Sequence, residues 1–288
     1  MSDILDTLKK HDFMFKKKFG QNFITDTNLL DAIVTDAGIK SDDEVLEIGT
    51  GAGTLTKALA KRCKKVLTIE IDNNLRPILS ENFSGIDNIE LCFADFMKVP
   101  VSEINSHFSK PFKVVANLPY YITTPIIFRL IEENFNVTSI TLMVQKEVAD
   151  RLSSESGTKD YGSITVQLDA IANVSTKRIV SKNMFTPAPK IDSAIVRIDL
   201  DRNKYKITNK QVLVRTIESA FSMRRKTLSN CLKSKLNLSQ EQIDKIYDNL
   251  EFHPQIRGEV LSTSQFVDLA NEITKELTNQ IIKNDKKS

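Results

Sequence analysis

The residues Asn117-Leu118-Pro119-Tyr120 follow directly after the apolar run Phe112–Ala116, and their types fit one kind of chemistry. An Asn carboxamide oxygen and a neighbouring backbone carbonyl can together accept both N–H bonds of a planar amine. Pro119 fixes the turn because its ring locks φ, so the preceding carbonyl points in one direction. Tyr120 offers an aromatic face that can stack on a base or lie against a sulfonium cation. The motif favours methyl transfer to an exocyclic amino nitrogen, although a strand that ends in a proline turn beside a core tyrosine would carry the same four residues.

A glycine-rich loop at residues 49–53 joins the first predicted strand to the first predicted helix and is preceded by Glu47. Glycines allow positive φ and let a ligand approach the backbone closely. About twenty residues further on, Glu70 ends the second strand, where a carboxylate can accept from both hydroxyls of a ribose. Asp95 follows the third strand and can accept from the exocyclic amine of adenine. The loop lacks both the G-x-G-x-x-G spacing and the P-loop pattern. Together with the two acids, this favours S-adenosylmethionine over NAD.

Apolar strands and amphipathic helices alternate from residue 20 to residue 200 and thereby predict the fold. This alternation predicts an open parallel sheet with helices on both faces, whose ligands bind at the carboxyl ends of the strands. Two later segments, 166–174 and 194–200, alternate apolar and polar residues and are expected to be closing antiparallel strands. The predicted parallel strands are Val45–Ile48, Lys65–Glu70, Ile89–Phe93, Phe112–Ala116 and Ser139–Val144.

The pattern becomes helical beyond a polar linker at residues 201–206, with predicted helices near 211–221, 225–235, 239–250 and 263–277. Ser239 with Gln242 three residues later fits a capping box. The fold class is therefore α/β, a Rossmann-like S-adenosylmethionine-dependent methyltransferase domain with a small all-helical C-terminal domain. The expected organisation is a basic N-terminal extension (1–15), the methyltransferase domain (16–202), a helical RNA-binding domain (203–280) and a disordered tail (281–288).

Composition excludes several classes of function. No stretch of the 288 residues approaches the roughly 20 apolar residues that span a membrane. The segment Met1–Lys18 resembles neither a signal nor a transit peptide, so a cytoplasmic protein is expected. Cys63, Cys92 and Cys231 stand far apart and the three histidines are scattered, which argues against a disulfide framework and against a metal site.

The net charge of +3 does not by itself indicate a nucleic-acid partner, but the basic residues are clustered. One cluster is Lys16, Lys17 and Lys18, and the other is Arg224, Arg225 and Lys226. Local basic patches on a nearly neutral protein suggest contact with a phosphate backbone. Each cluster taken alone is better explained as a solvated face.

Four motifs together resemble those of the rRNA adenine N6-dimethyltransferase family over nearly the whole chain. They are the segment from Lys18 to Ile24, the cofactor loop from Glu47 to Gly53, the Asn-Leu-Pro-Tyr motif, and the segment from Phe185 to Ser193. Ile24 stands where the family usually has Leu, and Thr50 where Pro is commoner. Residues 220–228 and 257–262 look like the small-subunit branch, the KsgA type, rather than the branch that confers macrolide resistance.

The resemblance implies an activity and a set of site residues. The enzyme would dimethylate two adjacent adenosines in the 3′-terminal hairpin of 16S rRNA within the immature 30S subunit, as a monomer and without a metal, and would release S-adenosylhomocysteine. Asn117, the carbonyl of Leu118 and Tyr120 would hold the target amine, with Pro119 fixing the turn, and Phe185 would stack on the flipped adenine. The implied cofactor contacts are Asn22, Ile24, Gly49, Gly51, Glu70, Asp95 and Asn117.

Other functions share parts of this pattern. A ribosome-assembly factor that binds precursor rRNA is compatible with the same motifs, with methylation as a secondary role. A DNA adenine methyltransferase would more often carry Asp-Pro-Pro-Tyr at the catalytic position. A dehydrogenase is a third alternative, because glycine loops after a first strand are also common among dinucleotide-binding proteins.

Overall fold

The computed structural model describes Thr7, Lys10, His11 and residues 22–24, 26–223 and 225–285, with side chains through residue 279. The predicted RNA contacts Lys16, Lys17, Lys18 and Arg224 lie outside the described residues, as does most of the predicted extension 1–15.

The strands of the described chain are β1 (Phe23–Ile24), β2 (Glu44–Ile48), β3 (Lys65–Glu70), β4 (Ile89–Phe93), β5 (Phe112–Asn117), β6 (Val137–Gln145), β7 (Ala172–Val180), β8 (Phe185–Thr186) and β9 (Ser193–Leu200). Seven of them form the central sheet, in the order β4-β3-β2-β5-β6-β9-β7. Strands β2 to β6 pair in parallel and β9 is antiparallel to β6, so the expected open, mostly parallel sheet is confirmed.

Strand β2 is buried at all five positions, as expected for a central parallel strand covered on both faces. Two of its five residues, Glu44 and Glu47, are nevertheless acids. A buried carboxylate is costly unless it is hydrogen-bonded or protonated. Each of the two acids therefore needs either hydrogen-bond donors or a bound proton.

The connections between the parallel strands are helical. The first helix starts at an Asp cap, where Asp26 Oδ1 accepts from the backbone N–H of Leu29 at 2.9 Å. The second follows Gly53, whose φ is +83° and where a Cβ would lie 2.6 Å from the Phe83 ring, so this position requires glycine. The helices are α1 (Thr27–Asp36), α2 (Thr54–Ala60), α3 (Arg76–Asn82), α4 (Val101–Ser106), α5 (Thr123–Glu132) and α6 (Lys146–Leu152).

A separate two-stranded sheet joins β1 to β8. Phe23 pairs with Thr186 and Ile24 with Phe185 in antiparallel register. The pairing holds the start of the described chain against a segment far along the sequence. It also explains why Ile24 and Phe185 are both almost fully buried.

The contacts divide the chain into two compact units. The first consists of residues 1–149 and 175–200, and the second of residues 150–174 and 201–288. The second unit resumes after Leu200, close to the linker expected from the sequence. Residues 150–174 lie within the range that the sequence assigned to the methyltransferase domain, and most of their contacts group them with the helical unit.

The helical unit has its own apolar core, which confirms the small all-helical part of the expected fold. Leu228, Leu232, Phe266 and Leu269 are fully buried in it. The predicted capping box is present, with Ser239 accepting from the N–H of Gln242 and the Gln242 side chain accepting from the N–H of Ser239. The helices are α7 (Ser163–Asp169), α8 (Lys210–Ser222), α9 (Leu228–Leu236), α10 (Gln240–Leu250) and α11 (Thr263–Asp285).

Three local predictions were wrong. Residues 166–169 belong to helix α7 rather than to a strand, because Val166 and Ala170 turn their apolar side chains into the helical core. The helix expected from residue 225 begins at Leu228, after a turn in which Lys226 N–H donates to the Met223 carbonyl at 2.9 Å. Helix α11 continues to Asp285 through part of the tail expected to be disordered, since residues 279–285 contain neither Gly nor Pro to end it.

Candidate active site

A cavity of about 910 Å³, including its open mouth, lies where strands β2, β3, β4 and β5 end. This is the edge at which open parallel sheets bind ligands. The polar and catalytic-motif residues in its lining are Asn22, Gly49, Gly51, Glu70, Asp95, Asn117, Leu118, Pro119 and Tyr120. The structure therefore brings together most of the residues that the sequence singled out.

Asn117 ends β5 with its amide held in one orientation. Its Nδ2 donates to the backbone carbonyl of Asn22 at 3.0 Å. A carbonyl can only accept, so this contact assigns the amide nitrogen to that side and leaves Oδ1 as an acceptor. None of the described residues donates to Oδ1. Asn117 thus presents an oriented acceptor at the cavity, with β1 as its support.

Tyr120 is fixed at its hydroxyl end. The Tyr120 hydroxyl and the Ser193 hydroxyl share a hydrogen bond of 2.7 Å. Burial raises the pKa of Tyr120 above its ordinary value of 10.0, although the Ser193 contact opposes the rise. The phenol therefore stays neutral across the physiological range. Its ring, which lines the cavity, is available for apolar or stacking contact.

Glu70 organises the backbone around the glycine loop. Its Oε2 accepts from the N–H of Gly51 and its Oε1 from the N–H of Asp72, both at 2.8 Å. Burial raises the pKa of Glu70, an effect that these backbone hydrogen bonds oppose. Each carboxylate oxygen has a second lone pair, so the group can still accept from a ligand hydroxyl.

Asp95 is more open than Glu70, with its side chain 32% exposed. Its Oδ1 accepts from the N–H of Met97 at 3.0 Å, and Lys98 lies 3.6 Å from Oδ2. The hydrogen bond to Met97 turns the chain directly after β4. The carboxylate at the cavity edge can accept a hydrogen bond from an amino group.

The loop itself rests on a buried hydroxyl network that the sequence analysis did not predict. Glu47 Oε2 accepts from Thr56 Oγ1 at 2.5 Å and from Thr68 Oγ1 at 2.7 Å, and Thr68 is 2.7 Å from Thr50 Oγ1. The other oxygen, Oε1, has no hydrogen-bond partner among the described residues. Burial raises the pKa of Glu47 to about 8 despite the two hydroxyl donors. The carboxyl group that supports the loop is therefore protonated at neutral pH.

Arg129 is a second residue that the sequence analysis missed. It is 8% exposed, and its guanidinium carbon lies 4.9 Å from the centroid of the Phe96 ring, which lines the cavity. Its Nη2 donates to the Val99 carbonyl at 2.5 Å. Arg129 therefore supports, from inside the protein, the segment that carries Asp95. No motif in the sequence marks this role, because the contact depends on the packing of α5 against the chain after β4.

Two predicted contacts do not line the cavity. Phe185 is 4% exposed and Ile24 is 2% exposed, and both pack in an apolar core cluster with residues such as Leu59 and Val115. Their pairing in the β1–β8 sheet accounts for this burial. Phe185 would have to leave this core to stack on a base.

The predicted RNA contacts Arg225 and Lys226 are exposed residues of the connection between α8 and α9. They lie in the helical unit, whereas the cavity belongs entirely to the first unit. Neither residue makes an ion pair with another described side chain. Their charges are therefore directed to solvent.

Two kinds of feature are absent from the described residues. Among them, no three His, Cys, Asp or Glu side chains are grouped as they would be around a metal ion. No helix in the described ranges has the length and apolar character needed to cross a membrane.

A mostly parallel sheet with a glycine loop after its first strand, acids after the next two and an Asn-Leu-Pro-Tyr turn at the same edge defines a Rossmann-like methyltransferase. The sequence matches the family described as "Ribosomal RNA adenine dimethylase" over residues 12–275. The chain belongs to this family.

Individual relatives agree with this assignment. The chain is 42% identical over 267 residues to "Ribosomal RNA small subunit methyltransferase A" of Clostridium acetobutylicum. The matched region covers 92% of this chain and 96% of the relative. The protein of the same name from Clostridioides difficile is 38% identical over 278 residues, 96% of each chain.

Solved structures show the same similarity. A dimethyladenosine transferase from Plasmodium falciparum superposes with a TM-score of 0.73 at 29% identity, over 88% of this chain and 98% of the other. The 23S rRNA methyltransferase ErmE superposes with a TM-score of 0.66 at 27% identity, over 88% and 100%.

Proposed function

We propose that this enzyme transfers methyl groups from S-adenosylmethionine to the N6 amines of two adjacent adenosines in the 3′-terminal hairpin of 16S rRNA. The observation that carries the proposal is the oriented Asn117 amide, whose Nδ2 is engaged by Asn22 and whose Oδ1 is left as an acceptor. Both curated relatives are named as small-subunit methyltransferases, and this chain matches each of them over 96% of the relative's length. This supports the choice of small-subunit rRNA. ErmE, a 23S rRNA methyltransferase, has a similar fold, so the fold alone does not choose between the two rRNAs.

The cavity fits S-adenosylmethionine on the chemistry of its lining. Glu70 would accept from the ribose hydroxyls, and Asp95 from the adenine amino group. Gly49 and Gly51 have no side chain, so a ligand can approach their backbone near these acids. Their φ angles are +81° and +56°. When bound, the cofactor supplies a methyl group already activated on a sulfonium.

The Asn-Leu-Pro-Tyr turn would receive the target amine. Oδ1 of Asn117 and the carbonyl of Leu118 would accept its two N–H bonds, which directs the nitrogen lone pair along the remaining axis. Such orientation of two reactants can contribute several kcal/mol to lowering the barrier. The residues do not need to act as a strong base, because the amine becomes acidic once the new bond has formed.

A base paired inside a helix cannot reach this cavity, so the adenine must be unstacked. The Tyr120 ring would offset part of the unstacking cost, since stacking on an aromatic side chain contributes roughly 1–3 kcal/mol per base. Arg225 and Lys226, together with Arg224 and with Lys16, Lys17 and Lys18, would contact phosphates elsewhere on the particle. We place the reaction on the immature 30S subunit in the cytoplasm, with the enzyme acting as a monomer and without a metal.

The test is Asn117→Ala, assayed by transfer of labelled methyl groups to unmethylated 30S particles with mapping of the modified adenosines. Turnover should fall by far more than the affinity for the particle, because the lost contact acts on the reacting amine. Ser106→Ala, an exposed hydroxyl on α4, is a matched control that should leave turnover unchanged. Near wild-type methylation by Asn117→Ala would overturn the catalytic assignment. Methyl transfer to separately supplied 23S rRNA or DNA, with none to the hairpin, would overturn the substrate.

A further inference from the structure

Tyr121 stands out because it lines the cavity and is nevertheless 64% exposed. It follows Tyr120 directly, and its hydroxyl has no hydrogen-bond partner among the described residues. Its ring is more open than that of Tyr120, the half-buried neighbour in the same motif, and it borders the same cavity.

The backbone that carries Tyr121 is fixed. The Ile122 N–H donates to the Pro119 carbonyl at 3.1 Å and the Thr123 hydroxyl donates to the same oxygen at 3.3 Å. Tyr120 and Tyr121 therefore occupy the two central positions of one closed turn. The first ring is tied inward through Ser193, and the second is left at the mouth. The turn holds both rings ready before any ligand arrives.

A second exposed apolar side chain lines the same cavity. Ile71, which follows β3, lines the cavity and is 48% exposed. Five large apolar side chains of the described chain are exposed, by 39% to 64%, and two of them, Ile71 and Tyr121, line this cavity. Exposed apolar groups gathered at the entrance of a site indicate a surface that a ligand covers.

We propose that Tyr121 stacks on the nucleobase next to the adenosine that occupies the cavity, and that this contact selects a purine at that position. The inference rests on the proposed function. A base turned into the cavity keeps its neighbour at the mouth, because the sugar–phosphate backbone is continuous. Unstacked bases of single-stranded RNA are held in this way on aromatic side chains, and a purine offers the larger face. Adjacent rings of one turn would thus receive adjacent bases, which suits a substrate of two neighbouring adenosines.

The experiment is a cycle between protein and RNA. Wild type, Tyr121→Ala and Tyr121→Phe are compared on 30S particles assembled with either adenosine or uridine beside a single target adenosine. Ile179→Ala is the matched control, because Ile179 is 50% exposed in the same unit and does not line the cavity. The measurements are kcat/KM for methyl transfer to the target and, by calorimetry, the affinity for S-adenosylhomocysteine.

In wild type, uridine should lower kcat/KM about tenfold, equivalent to 1.4 kcal/mol. Tyr121→Ala should lose a similar factor with adenosine and little more with uridine, whereas Tyr121→Phe and Ile179→Ala should behave as wild type. Affinity for S-adenosylhomocysteine should not change. If the losses of kcat/KM caused by uridine and by Tyr121→Ala multiply, the two changes act independently and the stacking assignment is wrong. A weakened affinity for S-adenosylhomocysteine in Tyr121→Ala would also overturn it. Neither result would affect the proposed function. A wild type that leaves the adenosine-containing particle unmethylated would overturn the proposed function, and this inference with it.

Discussion

Raising the pH should destabilise the folded enzyme through one residue, Glu47. Its carboxyl group is fully buried, is bound through one oxygen to the hydroxyls of Thr56 and Thr68, and has a pKa of about 8 in place of the ordinary 4.5. Between these two pH values the folded state holds a proton that the unfolded chain has already released. Folding stability therefore falls as pH rises through this window and the loss is complete above the folded pKa.

The size of the effect follows from the same values. At pH 6 the medium is about two units below the folded pKa, and each unit corresponds to about 1.4 kcal/mol. Ionisation of Glu47 should therefore remove roughly 3 kcal/mol of stability between pH 6 and pH 9. A Glu47→Gln variant keeps a neutral group and an oxygen that can accept from the two threonines, and it should lack this loss.

The assay is urea unfolding at pH 6 and pH 9 for both proteins, with the difference between the two pH values compared. Glu44→Gln is a control on the same strand. Burial would raise the pKa of Glu44, but hydrogen bonds from Ser109 and the contact with Lys64 outweigh it and lower the pKa to about 2. Glu44 gives stability that is lost only as pH falls toward 2, so its variant should lose as much between pH 6 and pH 9 as wild type. Parallel pH dependence of Glu47→Gln and wild type would refute the reasoning.

Three further predictions concern ligand binding. Glu70→Ala should weaken S-adenosylhomocysteine binding roughly ten- to a hundredfold in calorimetry, because hydrogen bonds to a charged group contribute about 1.5–3 kcal/mol, and an unchanged affinity would exclude the ribose role. Arg129→Met should weaken the same binding by up to about thirtyfold, because Phe96 would lose a desolvated cation–π contact of about 2 kcal/mol. An equal loss of affinity for free methionine, which lacks the adenine, would count against this role. Replacing Arg225 and Lys226 together by Ala should make log affinity for rRNA less steep against log salt by about two; identical slopes would show that neither residue contacts phosphate.

Site residues whose position follows from the local sequence pattern were predictable. The glycine loop, Glu70, Asp95 and Asn117 each follow a strand, and strands of a parallel sheet end at one edge, so their meeting required only that the strands be recognised. The capping box at Ser239 is likewise local, because both partners lie within one turn.

What the sequence could not reveal depends on contacts between distant segments. The burial of Phe185 follows from its pairing with Ile24. The two strands have only two residues each, so no periodicity in the sequence predicts this pairing. Residues 166–169 alternate like a strand but fold as helix α7 because the helical core takes up Val166. The Glu47 network and the support given by Arg129 join side chains from several elements, so their charge states and distances exist only in the folded molecule.

The segment from Phe185 to Ser193 is linked to both ends of the Asn-Leu-Pro-Tyr turn, indirectly at Asn117 and directly at Tyr120. At one end it pairs with β1, whose neighbour Asn22 holds the Asn117 amide. At the other, Ser193 holds the Tyr120 hydroxyl. A displacement of this segment would therefore reach the cofactor side and the base side of the cavity together. An RNA contact that moves this segment would therefore change the affinity for the cofactor. By thermodynamic reciprocity, the cofactor would change the affinity for the RNA by the same factor.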